Sequence, residues 1–108
     1  MKTKQQIQQG DVLFRRVNIE TPTGKPIKPS KRGHVLADGE ATGHQHVIED
    51  VSDAELYAEG ERILLHVLKQ TTVTHEEHKT VTLEPGIYEI GRVQEYDYLQ
   101  QMARQVRD

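Results

Sequence analysis

The chain has no cysteine, no tryptophan and a single phenylalanine among its 108 residues. Without cysteine, both disulfides and thiolate metal centres are excluded. Only 34% of the residues are hydrophobic, so the core must be small and built mainly from Val, Ile and Leu. A chain of this length fits one domain, residues 1–108, with little stability to spare. A bound ion or a partner subunit would add to it. No apolar run approaches the length of a membrane span. The first nine residues are Lys- and Gln-rich and carry no apolar stretch, so they do not read as a secretory signal. The expected location is cytoplasmic.

Charge is present, and it is segregated. From Arg15 to Arg32 the chain carries Arg15, Arg16, Lys25, Lys28, Lys31 and Arg32 against one acid, Glu20. From Gly33 to Glu61 it carries Asp38, Glu40, Glu49, Asp50, Asp53, Glu55, Glu59 and Glu61 and no Lys or Arg. Three of the six histidines lie in that acidic stretch. Acidic surroundings favour a cation and raise the basicity of histidine. The basic run reads either as a phosphate-binding segment or, more commonly for such runs, as solvated loop charge.

The periodicity is that of strands. "GDVLFRRVNI" (10–19) reads as a strand with an irregularity at Arg15-Arg16. "TPTGKPIKPSKRG" (21–33) holds three of the four prolines, which excludes a helix or a central strand and predicts a long surface loop. "HVLADG" (34–39) and "ATGHQHVIED" (41–50) read as short strands, "AELYAEGER" (54–62) as a strand edge with a turn at Glu59-Gly60, and "ILLHVLKQ" (63–70) as the most buried strand. "THEEHK" (74–79) is polar and turn-like. "TVTLEPGIYEIGRVQEY" (80–96) gives two alternating strands around Pro85-Gly86, a pair suited to a type II turn. The period changes in "DYLQQMARQVRD", where Leu99, Met102, Ala103 and Val106 share a helical face and Asp97 with Gln100 resembles a capping box. The expected fold is all-β, a small barrel or jelly-roll with one C-terminal helix at about 97–107.

Two histidine clusters carry the functional signal. Side chains two apart on a strand share a face, so His44 and His46 point the same way, roughly 6–7 Å apart. Glu49 has the opposite parity. The second cluster is His75-Glu76-Glu77-His78. His78 or His75 would complete a three-histidine site for a divalent ion, with Zn, Ni, Fe or Mn all suited to imidazole and carboxylate. Glu76 or Glu77 would serve as ligand, orienter or general base. Each cluster alone is a weak signal, since charged turns and polar strand edges contain histidine often. Their co-occurrence in one small cysteine-free chain is stronger. His66, inside an apolar run, reads as a satisfied core histidine. In "GRVQEYDY", Arg92 suits bidentate capture of an anion, and Glu95 and Tyr96 offer a carboxylate and a hydroxyl. The plainer alternative is that Arg92 pairs with a neighbouring acid.

"GEATGHQHVIED" followed by "HEEHKTVTLEPGIYEIGRVQEY", with "QQGDVLFRRV" in front, resembles a family of small uncharacterised proteins of bacteria and their phages. The resemblance spans most of the chain, through Gly10 to Leu13, Gly39 to His46, His75 to His78, Pro85 to Tyr88 and Arg92 to Tyr96, and implies no activity. A looser resemblance is to the cupins, whose first motif places glycine, H-x-H, glutamate and glycine in the order of Gly39, His44, His46, Glu49 and Gly60. Their second motif has a P-x-G turn before a histidine. Here Pro85-Gly86 lacks the spacer and no histidine follows it.

Three classes of function stand open. The first is a metal-binding β-protein, an enzyme if the ion activates water for a small polar substrate. The second is a non-catalytic module binding an anionic small molecule or nucleotide through Arg92 and the basic loop. The third is an oligomeric accessory or virion-associated protein that covers its sheet edges by subunit pairing. Nucleic acid is not expected as a partner, because net charge is −3 and no aromatic platform interleaves the basic loop.

Overall fold

The computed structural model describes residues 5–38 and 43–92. The fold is all-β, as the periodicity implies. Among the described residues, ten strands run β1 (Gln6–Gln9), β2 (Val12–Val17), β3 (Lys25–Ile27), β4 (His34–Asp38), β5 (Gln45–Ile48), β6 (Ala54–Glu59), β7 (Arg62–Val67), β8 (Thr71–Val73), β9 (Val81–Leu83) and β10 (Gly86–Arg92), with one 3-10 turn at Val51–Asp53. The terminal helix expected at about 97–107 lies outside the described residues.

Six strands form one antiparallel sheet in the order β1-β2-β10-β7-β6-β3. The sheet is open, with β1 and β3 at its ends, so the barrel alternative gives way to a layered arrangement. Two small ladders, β4-β5 and β8-β9, lie against it. A bridge joins them, with Val47 and Thr74 exchanging hydrogen bonds of 3.0 and 2.8 Å. Val12, Phe14, Leu56, Leu65, Val67 and Tyr88 from the large sheet meet Leu36, Ile48, Val73 and Leu83 from the ladders in one core. Full burial of each such side chain is worth about 1.5–3 kcal/mol.

The apolar run at 63–70 behaves as expected, for Leu64 and Leu65 point to opposite faces of β7 and both are fully buried. One local expectation is corrected, and two arrangements go beyond the sequence reading. The proline-rich segment is not only loop, because β3 forms inside it. Pro26 is tolerated there because β3 is an edge strand, where a missing N–H costs no ladder bond. The strands flanking Pro85-Gly86 do not pair with each other. β9 pairs β8, while β10 enters the large sheet between β2 and β7. The segment before Gly10, to which the sequence reading assigned no element, forms β1. A two-residue turn, Gly10-Asp11, returns it to β2 with Gln9 opposite Val12. Gly10 has φ +60° and Asp11 does not have positive φ, the pattern of a type II′ hairpin.

Candidate functional site

β5 places His46 on the face that also carries Ile48, so a strand's period of two directs the imidazole into the end of the core. It is fully buried. A bulge between Val35 and Ala37 resets the β4-β5 pairing so that Ala37, a small residue, stands opposite His46.

The hairpin at Gly10 delivers the partner that fixes this ring. Gln9 donates both protons of its side-chain amide, to Val73 O and to Lys79 O, each at 2.9 Å. Its Oε1 must therefore face His46 Nδ1, which lies 2.8 Å away. An amide oxygen only accepts, so Nδ1 carries the proton and Nε2 presents a bare lone pair. That Nε2 is buried and, among the described residues, has no hydrogen-bond partner. Asp11 Oδ1 stands 3.9 Å from it, beyond hydrogen-bond range.

The turn between β8 and β9 brings in the second cluster. The His75 ring packs on His46 with centroids 4.3 Å apart, and His78 packs on His75 at 4.7 Å. His46 and His78 lie 6.2 Å apart and nearly parallel. His44, just before β5, meets His75 edge-on at 5.8 Å. His75 Nδ1 accepts the Glu77 amide at 3.0 Å, while its Nε2 is buried without a partner among the described residues. The His78 ring rests on Gly10, where any Cβ would overlap it.

The two glutamates divide in role. Glu76 accepts from the Gln45 backbone N–H at 2.9 Å and from Arg32 Nη2 at 2.6 Å. Those bonds, the Gln45 amide first, bring its carboxyl down to about 2. Glu76 is thus an anion throughout the neutral range, tying the histidine turn to β5. Glu77 is exposed and pairs with His44 Nδ1 at 2.9 Å, at an angle outside hydrogen-bond geometry. Arg92 donates to Asp11 Oδ2 at 2.7 Å and to Asp38 O at 2.8 Å.

His44, His46, His75 and His78, with Glu76 and Glu77, are therefore neighbours, although the two segments are some thirty positions apart. Among the described residues, no three His, Asp or Glu side chains already stand as a set that could hold a metal ion, because the rings stack instead of converging. The donor chemistry nevertheless fits an ion, with buried and unpartnered Nε2 atoms on His46 and His75 and a carboxylate at hand. Burial first, then His75, lowers His46 from 6.5 to about 4, so the imidazole is neutral near pH 7, as ligation requires.

Other sequence candidates lie elsewhere. Glu95 and Tyr96 fall outside the described residues. Glu49 is exposed. His66 is not a core histidine. It is half-buried on the opposite face of the large sheet from Leu65, 3.6 Å from Glu55. With Arg16, Asn18 and Glu20 it lines a separate cavity of about 550 Å³. Gln9 and Asp11 were not singled out from the sequence. The signal that points to them is Gly-Asp directly ahead of the β2 run, a dipeptide suited to a two-residue hairpin turn.

A family model described as a domain of unknown function, DUF8820, matches residues 8–93. The chain belongs to the DUF8820 family. No curated protein and no solved structure matches it. The DUF8820 span takes in Gln9, Asp11, all four clustered histidines and Arg92, and its description assigns no activity. Among the described residues, no helix is long and apolar enough to cross a membrane.

Proposed function

We propose that this DUF8820 domain binds a divalent transition-metal ion in its histidine cluster, with His46 as the anchoring ligand and His75 and His78 joining from the turn. The observation that carries the reading is the orphaned Nε2 of His46, a buried lone pair whose tautomer Gln9 dictates. Ligating histidines characteristically donate their other ring nitrogen to a fixed acceptor in this way. His78 is exposed and His75 half-buried, so rotation about χ2 can turn their nitrogens toward a common point. His44 and Glu77 stand at the outer side, where Glu77 would serve as base toward a metal-bound water if the site is catalytic. The resemblance of the first segment to the cupin motif points the same way. Arg32 and Arg92 already contact carboxylates, which weakens the alternative of an anion-binding module.

The test is calorimetric titration of chelator-stripped protein with Zn²⁺, Ni²⁺, Mn²⁺ and Fe²⁺, with elemental analysis of the purified protein. One equivalent bound by wild type and lost in His46→Ala supports the reading. Absence of stoichiometric binding by all four ions overturns it.

A further inference from the structure

We infer that Asp11 supplies an oxygen ligand to the same ion and that Arg92 positions it. This rests on the reading of the cluster as a metal site.

Two acceptors face each other at the edge of the cluster. Gln9 fixes the His46 proton on Nδ1, so Nε2 has only a lone pair to offer. Asp11 Oδ1, across a gap of 3.9 Å, is a carboxylate oxygen and also offers only lone pairs. Two such atoms repel unless something positive lies between them. The gap is too long for a shared proton. An ion can join them after a small closure, because bonds of about 2.0–2.2 Å at a tetrahedral angle set nitrogen and oxygen about 3.4 Å apart, roughly half an ångström nearer than they stand. Asp11 is also held as a ligand would be. Arg92 Nη1 takes Oδ2 at 2.7 Å, which leaves Oδ1 as the oxygen turned to His46, and Arg92 Nη2 is braced on Asp38 O. The Asp11 side chain is 18% exposed, and its place in a two-residue turn leaves it little freedom to turn away. A mixed nitrogen and oxygen set would favour Zn²⁺, Fe²⁺ or Mn²⁺ over Cu⁺.

The experiment titrates wild type, Asp11→Asn and Arg92→Gln with Co²⁺, reading the visible d–d bands, and then measures Zn²⁺ affinity by competition. Asp11→Asn is expected to weaken Zn²⁺ binding about 10–100-fold and to change the Co²⁺ band positions. Arg92→Gln is expected to weaken it about tenfold, with a smaller spectral change, as loss of a ligand's orienting partner does. Far-ultraviolet circular dichroism checks that each variant is folded, and Arg92→Gln keeps the test open if Asp11→Asn is not. Wild type that binds metal while both variants match it in affinity and spectrum overturns the role of Asp11 and leaves the metal reading standing. A change in Asp11→Asn alone overturns only the positioning role of Arg92. Wild type that binds neither ion overturns the underlying metal reading itself.

Discussion

Gln9 Oε1 and His46 Nδ1 lie 2.8 Å apart, joining β1 to β5. The amide cannot be turned round, because its nitrogen is committed to two carbonyls, Val73 O and Lys79 O. One side chain therefore ties together β1, β5, the end of β8 and the histidine turn, and sets the tautomer of the buried ring.

Replacing Gln9 by Ala removes that tie and leaves the Nδ1 proton and two carbonyls unpaired in or near the core. A buried group left without its partner costs about 1–3 kcal/mol. Gln9→Ala should therefore lower stability by at least that much in urea denaturation. It should also weaken any metal bound through His46 by about 10–100-fold. Unchanged stability would mean that water replaces the amide without loss.

Gly10→Ala tests the contact between the hairpin and His78. The residue sits at φ +60° and a Cβ would overlap the imidazole. The left-handed backbone alone costs about 1–2 kcal/mol for a residue with a Cβ, and the displaced ring adds to it. Gly60, with the same φ of +60° in the β6-β7 turn, has open space where a Cβ would stand. Gly60→Ala should show the backbone cost without any effect on the histidine cluster. The comparison separates strain from site, with denaturation reading the first and metal titration the second.

Much of this was legible in the sequence, and the rest was not for physical reasons. The period of two marked β2, β4 to β6, β9 and β10, because alternation survives wherever one face is buried. The continuous run Ile63 to Val67 announced a strand covered on both faces. β1 escaped because Gln6, Gln8 and Gln9 carry no hydrophobic signal, Gln9 being buried for its hydrogen bonds instead of its apolarity. β3 escaped because Pro26 forbids a central strand yet not an edge. The two histidine segments were visible, but what holds His46 was not. Its partners come from a turn 35 or more positions earlier, and strand parity says nothing about a distant hairpin. Parity also overstated the pair, since His44 reaches the cluster through His75 at 5.8 Å.

Glu76 should behave as a fastener and not as a proton carrier. Its carboxyl, held near 2 against an ordinary 4.5, stays ionised throughout the neutral range. Glu76→Gln keeps an acceptor for the Gln45 amide and loses only the charge pairing with Arg32. Glu76→Ala loses both. Hydrogen exchange at Gln45 N–H should therefore quicken modestly in the first variant and strongly in the second. Equal exchange in both would show that the amide bond does not hold the turn.

The pH dependence follows from two groups whose windows are separate. His46 is a base whose folded value, about 4, lies below the ordinary 6.5. As pH falls below about 6.5 the unfolded chain takes up a proton that the folded chain refuses, so stability drops between 6.5 and 4 and is complete above 6.5. The loss across that window is on the order of 2–3 kcal/mol. Glu76 is an acid with a depressed value. Its contribution is present above 4.5 and is lost as pH falls from 4.5 toward 2. Urea midpoints of metal-free protein measured from pH 7.5 to 3 should thus fall in two steps. His46→Gln should flatten the upper step and leave the lower one, while Glu76→Gln should do the reverse. An upper step that persists in His46→Gln would show that His46 is not the group responsible.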